Sequence, residues 1–180
     1  MSKVLILVGV VLALVVSSVA LAAPSPKLQT FGTGDVTATG DSATITNDVG
    51  EFGGVYLNSK STSGKALNKV TFAFTNRGDV AGGAPRFSIP VNDGAFDPNS
   101  DYAFLDAAGC GATVGDNPTN EATFVSTQNP SCHVNFGGVD YANWAAFANA
   151  NPTYKIASAY TVFIIADQAG AYVVDSIVLR

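Results

Sequence analysis

Turn-forming residues punctuate the chain so often beyond residue 31 that only short extended segments fit between them. Gly40-Asp41, Ser63-Gly64, Gly82-Gly83, Asn92-Asp93-Gly94, Asn129-Pro130, Gly137-Gly138 and Ala169-Gly170 are clear breaks. They combine glycine's freedom at positive φ with Asn and Asp side chains that bond their own backbone. Lys69 to Thr75 shows what lies between such breaks. There Val70, Phe72 and Phe74 alternate with Lys69, Thr71, Ala73 and Thr75, which gives one buried face and one wet face. Comparable runs are Val36–Thr39, Ala43–Thr46, Gly54–Asn58, Arg86–Val91, Tyr102–Asp106, Glu121–Val125, Cys132–Phe136, Thr161–Ala166 and Ala171–Leu179. About ten short strands with little helical periodicity predict an all-β fold, an antiparallel β-sandwich or jelly roll. The short Gln168-Ala169-Gly170 link predicts that the last two strands form a hairpin.

One segment departs from this pattern. Asp140 to Asn149 holds Tyr141, Trp144, Ala145 and Ala148 on one face at helical spacing, with Phe147 at its edge. Asp140 is a suitable N-cap and Asn151-Pro152 a suitable stop, so a short helix is predicted over residues 141–149.

The first 22 residues carry a different message. Lys3, the apolar run Val4 to Val16 and the Ala20-Leu21-Ala22 ending form the pattern of a secretory signal peptide, with the mature chain beginning at Ala23. Retention of the same segment as a membrane anchor is the competing expectation, since about 20 apolar residues span a bilayer. Residues 23–30 read as a Pro/Ser lead-in and residues 31–180 as a single domain, a length that can bury a sizeable core. Nothing after the leader is long and apolar enough to span a membrane as a helix. Cys110 and Cys132 are the only cysteines, and in a secreted, extracellular protein such a pair predicts one disulfide. Nine Lys and Arg stand against 14 Asp and Glu, with the cations scattered singly. Nucleic acid is therefore not an expected partner, because phosphate binding needs clustered positive charge.

The candidate chemistry is sparse. Tyr141, Trp144 and Phe147 include the sole tryptophan. They could form a platform for stacking on sugar rings, although helical spacing more often marks a face docked on a core. Asp97-x-Asn99-x-Asp101 opens like a calcium loop, but Tyr102 stands at the turn-glycine position and Ala108 at that of the bidentate glutamate. An EF-hand is thus excluded, which leaves a simpler surface calcium site or an ordinary acidic turn. Under strict alternation Asp175 falls on the same side of the last strand as Val173, Ile177 and Leu179. There it requires backbone donors, an arginine or a metal ion, unless a bulge turns it toward solvent. His133 is the sole histidine and is expected on a polar face, with no G-x-S-x-G or orienting partner to suggest catalysis. Arg77-Gly78-Asp79 is a tripeptide read by some adhesion receptors and, more commonly, a turn after a strand.

Gly53-Gly54-Val55-Tyr56-Leu57 and the closing strand Ala171 to Leu179, together with the leader, resemble the secreted β-sandwich proteins that include many noncatalytic carbohydrate-binding modules. The resemblance is architectural. It implies that Asp175 joins a structural calcium site. The expected function is an exported, noncatalytic module for glycan or a cell-surface polymer, with Tyr141, Trp144 and Tyr102 as contacts. The alternative is a structural or adhesive surface protein that self-assembles or binds the cell envelope, a role suited by low charge and exposed strand edges.

Overall fold

A computed structural model describes residues 27–95, Asp97 and residues 101–180. The leader, residues 23–26 of the lead-in and Asn99 lie outside the described residues. The chain is all-β: two antiparallel sheets packed as a sandwich, with one short helix.

The larger sheet contains β1 (Leu28–Gly32), β4 (Gly53–Leu57), β6 (Arg86–Asn92), β7 (Tyr102–Asp106), β9 (Val134–Phe136), β10 (Val139–Tyr141), β11 (Lys155–Ile156) and β12 (Phe163–Ala166). Its order is β1-β4-β12-β6-β7-β9-β10, with β11 pairing the end of β6. The smaller sheet contains β2 (Asp35–Thr39), β3 (Ser42–Asn47), β5 (Phe72–Asn76), β8 (Thr123–Ser126) and β13 (Gly170–Leu179), in the order β2-β3-β13-β5-β8.

Side-chain alternation along the strands builds the core between the sheets. Val55, Leu57, Phe87, Ile89, Leu105 and Ile164 face inward from the larger sheet; Ile45, Phe72, Phe74, Val125, Tyr172 and Val174 face them from the smaller. Phe87 meets Phe74 and Phe72 across the interior, with ring centroids 5.0 and 5.9 Å apart.

Three sequence expectations change in the folded chain. The last two strands are not a hairpin, because β12 lies in the larger sheet and β13 in the smaller. The link between them arches over the end of the core. Its carbonyls are held by side chains: Asn47 Nδ2 donates to Ala166 O at 2.8 Å, and the Tyr172 hydroxyl lies 3.1 Å from Ala169 O and 3.2 Å from Gln168 O. A hairpin turn would have used backbone N–H groups instead.

The helix also starts late, α1 running over Trp144–Ala150. Gly137 and Gly138 both take positive φ, 58° and 78°, the requirement of a type I′ hairpin. That turn draws Asp140 and Tyr141 into β10, opposite Asn135 and Val134. Asn143 then supplies the N-cap, its side chain accepting from Ala146 N at 2.9 Å.

Finally, β13 does not keep strict alternation. Its register against β5 shifts between Asp175 and Val178, and Ser176 adopts φ 55°. This irregularity lets Tyr172, Val174 and Ile177 all point inward, so Asp175 sits on the outer face with Val173. Strands β1, β10 and β11 were not expected, and β1 takes up residues 28–30 of the lead-in.

The disulfide joins Cys110 to Cys132, tying the turn after β7 to the approach to β9. Beside it, His133 N donates to Gly109 O at 3.0 Å. Replacing both cysteines with alanine is expected to lower unfolding free energy by about 3 kcal/mol, as closure of a loop of this size implies. Denaturant titration of the double variant against the oxidised protein measures it.

Burial, with the Asp79 and Asp167 carboxylates adding to it, pushes the Tyr172 phenol up to about 12. The unfolded chain gives up that proton near pH 10, so the folded state binds more protons between those values and loses stability as pH rises through them. Stability should fall from about pH 10 to 12, and Tyr172→Phe should make that part of the curve shallower. Chemical unfolding across this range in both proteins provides the measurement.

Candidate functional site

The outer face of the larger sheet carries a continuous aromatic surface. Alternation on β1, β4, β12 and β7 turns Phe31, Tyr56, Phe163 and Tyr102 to the same side, away from the core. Strand pairing sets Phe163 directly opposite Tyr56 and places Phe31 opposite Gly54. The absence of a side chain at 54 matters here. A Cβ there would lie 2.6 Å from Phe31 Cζ and nearer still to Ile164 O, so glycine lets the Phe31 ring rest on the sheet. Phe31 then stacks on Tyr56 at 4.3 Å with the planes 30° apart. Phe163 meets Phe31, Tyr56 and Tyr102 edge-on, at 5.7, 5.9 and 5.4 Å. Tyr56 and Tyr160 remain 39% and 38% exposed, so the cluster presents ring surface to solvent. Partial burial raises the Tyr102 phenol above its ordinary value, with Tyr160 and then Tyr56 adding to it, so three phenols share one neighbourhood.

Two clefts flank this surface. One, of about 410 Å³, runs beside Tyr56 and is walled by Gln29, Asn58 and Thr161. The other, about 220 Å³, lies beside Tyr160 and is walled by Asn58, Ser59, Ser63 and Ser158. Their polar groups are mostly neutral hydroxyls and amides, with Lys27 and Lys60 the cations among the lining residues.

The opposite outer face differs in kind. Thr37, Thr44 and Thr46 are exposed on β2 and β3, and Phe124, at 53% exposure, is a lone ring on the edge strand β8. Alternation therefore accounts for an outward row on each sheet, and the sequence of the larger sheet makes its row aromatic.

The sequence-derived candidates scatter across the fold. Tyr102 belongs to the aromatic surface. Trp144 does not: it is 3% exposed, packs on Phe72 and Phe147, and its indole N–H donates to Leu67 O at 2.8 Å. Tyr141 is half-buried against Phe147, 5.2 Å between centroids. Trp144 docks the helix on the core, as amphipathic spacing implies, while Tyr141 packs on the helix from strand β10.

The proposed calcium ligands are not gathered. Asp175 lies on the smaller sheet, where Arg77 Nε donates to it at 2.8 Å. Asp101 accepts from Asp97 N at 2.7 Å within the turn between β6 and β7, on the larger sheet. Among the described residues no three His, Cys, Asp or Glu side chains form a metal-holding group. Asp79 is likewise engaged, accepting from Asn117 N at 3.0 Å and Ala171 N at 2.7 Å. Both charged ends of Arg77-Gly78-Asp79 are thus committed within the fold. His133 is exposed.

Phe31, Tyr56, Phe163 and Tyr160 were not singled out as site residues from the sequence. For Tyr56 and Phe163 the available signal was an outward aromatic flanked by inward aliphatic residues, Val55-Tyr56-Leu57 and Val162-Phe163-Ile164; Phe31, between Thr30 and Gly32, and Tyr160, between Ala159 and Thr161, carry no such signal. Comparison with known protein families, curated proteins and solved structures finds no match to this chain.

Trp144→Ala is expected to destabilise the protein by about 3–5 kcal/mol, the range for truncating a buried large ring. Its effect on melting temperature should far exceed that of Tyr56→Ala. Thermal unfolding of the two variants compares an internal ring with a surface one.

Proposed function

We propose that this chain is an exported, noncatalytic module that binds neutral glycan through the aromatic outer face of its larger sheet. The observation that carries this reading is the partly exposed cluster of Phe31, Tyr56, Phe163 and Tyr102, bordered by clefts rich in hydroxyl and amide groups. A sugar ring has an apolar C–H face and a rim of hydroxyls. Aromatic surface suits the first, and Gln29, Asn58, Ser158 and Thr161 suit the second. The Cys110–Cys132 disulfide supports an oxidising compartment, in keeping with the leader.

The alternative, a self-assembling or envelope-binding surface protein, draws on the open edge of β8 and its exposed Phe124. That edge is partly occupied by the chain itself, since Asn129 Nδ2 donates to Phe124 O at 3.2 Å. Glycan binding is therefore the better-supported reading.

Retention on microcrystalline cellulose, insoluble xylan and chitin provides the test. The protein should be retained on at least one of them. The Tyr56→Ala/Tyr160→Ala double variant should bind about fivefold or more weakly, as loss of two aromatic contacts implies, with little change in melting temperature. Phe124→Ala, on the opposite sheet, should bind normally. Equal loss in both variants, or concentration-dependent polymers abolished by Phe124→Ala, would favour assembly instead.

A further inference from the structure

A third cleft, sharing no lining residue with the aromatic face, opens between helix α1, the 3₁₀ turn Leu67–Lys69 and the loop after β8. Its volume is about 310 Å³, at the lower end of the range that holds small ligands. No ionisable side chain lines it, although the chain carries charges elsewhere. Its polar groups are instead five side-chain amides and one threonine hydroxyl.

These amides fall into two sets. Asn129 and Asn143 are locked in place. Asn129 Oδ1 accepts from Ser131 N at 3.0 Å and its Nδ2 donates to Phe124 O; Asn143 Oδ1 caps the helix and its Nδ2 donates to Pro130 O at 3.3 Å. Asn68, Gln128 and Asn149 are exposed and make no side-chain hydrogen bond with any described residue. Each therefore offers a donor and an acceptor side by side, the combination that pairs with adjacent hydroxyls.

Between the amides the wall is apolar. Ala145 is exposed on it, and Ala148 and the buried Trp144 lie directly beneath, the indole held in place by the Leu67 carbonyl. A rigid apolar wall facing free, uncharged amides selects an uncharged ligand with one apolar face and several hydroxyls.

We infer that this cleft is a second saccharide subsite, which takes a single neutral sugar residue or a chain end against Ala145, above the buried Trp144, and between the amides of Asn68, Gln128 and Asn149. The inference deepens the glycan-binding reading and rests on it. It makes the module bivalent, with a broad aromatic face for polymer and an open cleft for one sugar.

The sole tryptophan lies directly beneath the cleft wall, so its emission reports on this site and not on the outer face. The probes are glucose, xylose and N-acetylglucosamine, with glucuronic acid as the charged comparison. At least one neutral sugar should give a saturable change in Trp144 emission. Ala145→Arg, which places a long cation in the opening from an exposed helix position, should raise the half-saturation concentration about tenfold or more. The Gln128→Ala/Asn149→Ala variant changes only exposed amides and should weaken the response in the same direction, which secures the test if Ala145→Arg folds poorly.

No emission change with any neutral sugar, a change unaffected by both variants, or tighter binding of glucuronic acid would each overturn the inference. The Tyr56→Ala/Tyr160→Ala protein separates the two sites. It should keep the full emission response while losing retention on insoluble polymer. Retention without an emission response rejects the cleft alone; absence of both rejects glycan binding altogether.

Discussion

A line of aromatic rings through the interior holds the two sheets and the helix in one arrangement. Phe74 and Phe72 of the smaller sheet close on Phe87 of the larger; Phe72 touches Trp144, Trp144 touches Phe147, and Phe147 touches Phe136 back on the larger sheet. Large rings bury more area per residue than any other side chain, and edge-to-face contacts add a directional preference. The line thus sets how the sheets face each other and where α1 closes the space between them. The single tryptophan belongs to this line by size, and its indole donor is satisfied by a backbone carbonyl, as a buried N–H requires.

Charges in this fold are used mainly for anchoring. Arg86 makes a two-point contact with Asp167, 2.8 and 2.7 Å, and lies 5.3 Å from the Phe104 ring centroid. Its hydrogen bond holds the Asp167 carboxyl below the usual range, so the pair persists as an ion pair at neutral pH. Arg77 pairs with Asp175, and Asp79 pins the segment after β5 to the start of β13 through Ala171 N. With these groups engaged, the aromatic face and the amide cleft are bordered largely by neutral polar side chains. That neutrality is the basis on which uncharged ligands, rather than phosphate or acidic polymers, are proposed for both surfaces.

The two outer faces come from the same strand periodicity with different residues in the outward positions. On the smaller sheet these are chiefly threonines with Asp175 and its arginine; on the larger they are rings laid over glycine. Gly54 is decisive, because a side chain there would lift Phe31 off the sheet and break its stacking on Tyr56. The backbone permits an aromatic surface on either side, and local side-chain volume decides which side has one.

Class and core were legible in the chain itself. Val70, Phe72 and Phe74 are buried as their alternation predicts, although the strand begins only at Phe72, after a 3₁₀ turn, and Ala73 is buried as well; turn residues mark nearly every strand end, and the two cysteines pair with each other. Alternation is a local property, so a local reading captures it. What only the tertiary structure decided were the features set by distant partners. Whether residues 167–169 make a hairpin or an arch depends on Asn47 and Tyr172 holding their carbonyls. Which way Asp175 points depends on a register shift against β5, and whether Trp144 is a platform or a core residue depends on Leu67 and Phe72. The aromatic face unites residues from four strands, with Phe31 and Phe163 132 positions apart. A period of two tells which residues share a side of one strand, and only pairing between strands tells which sides meet.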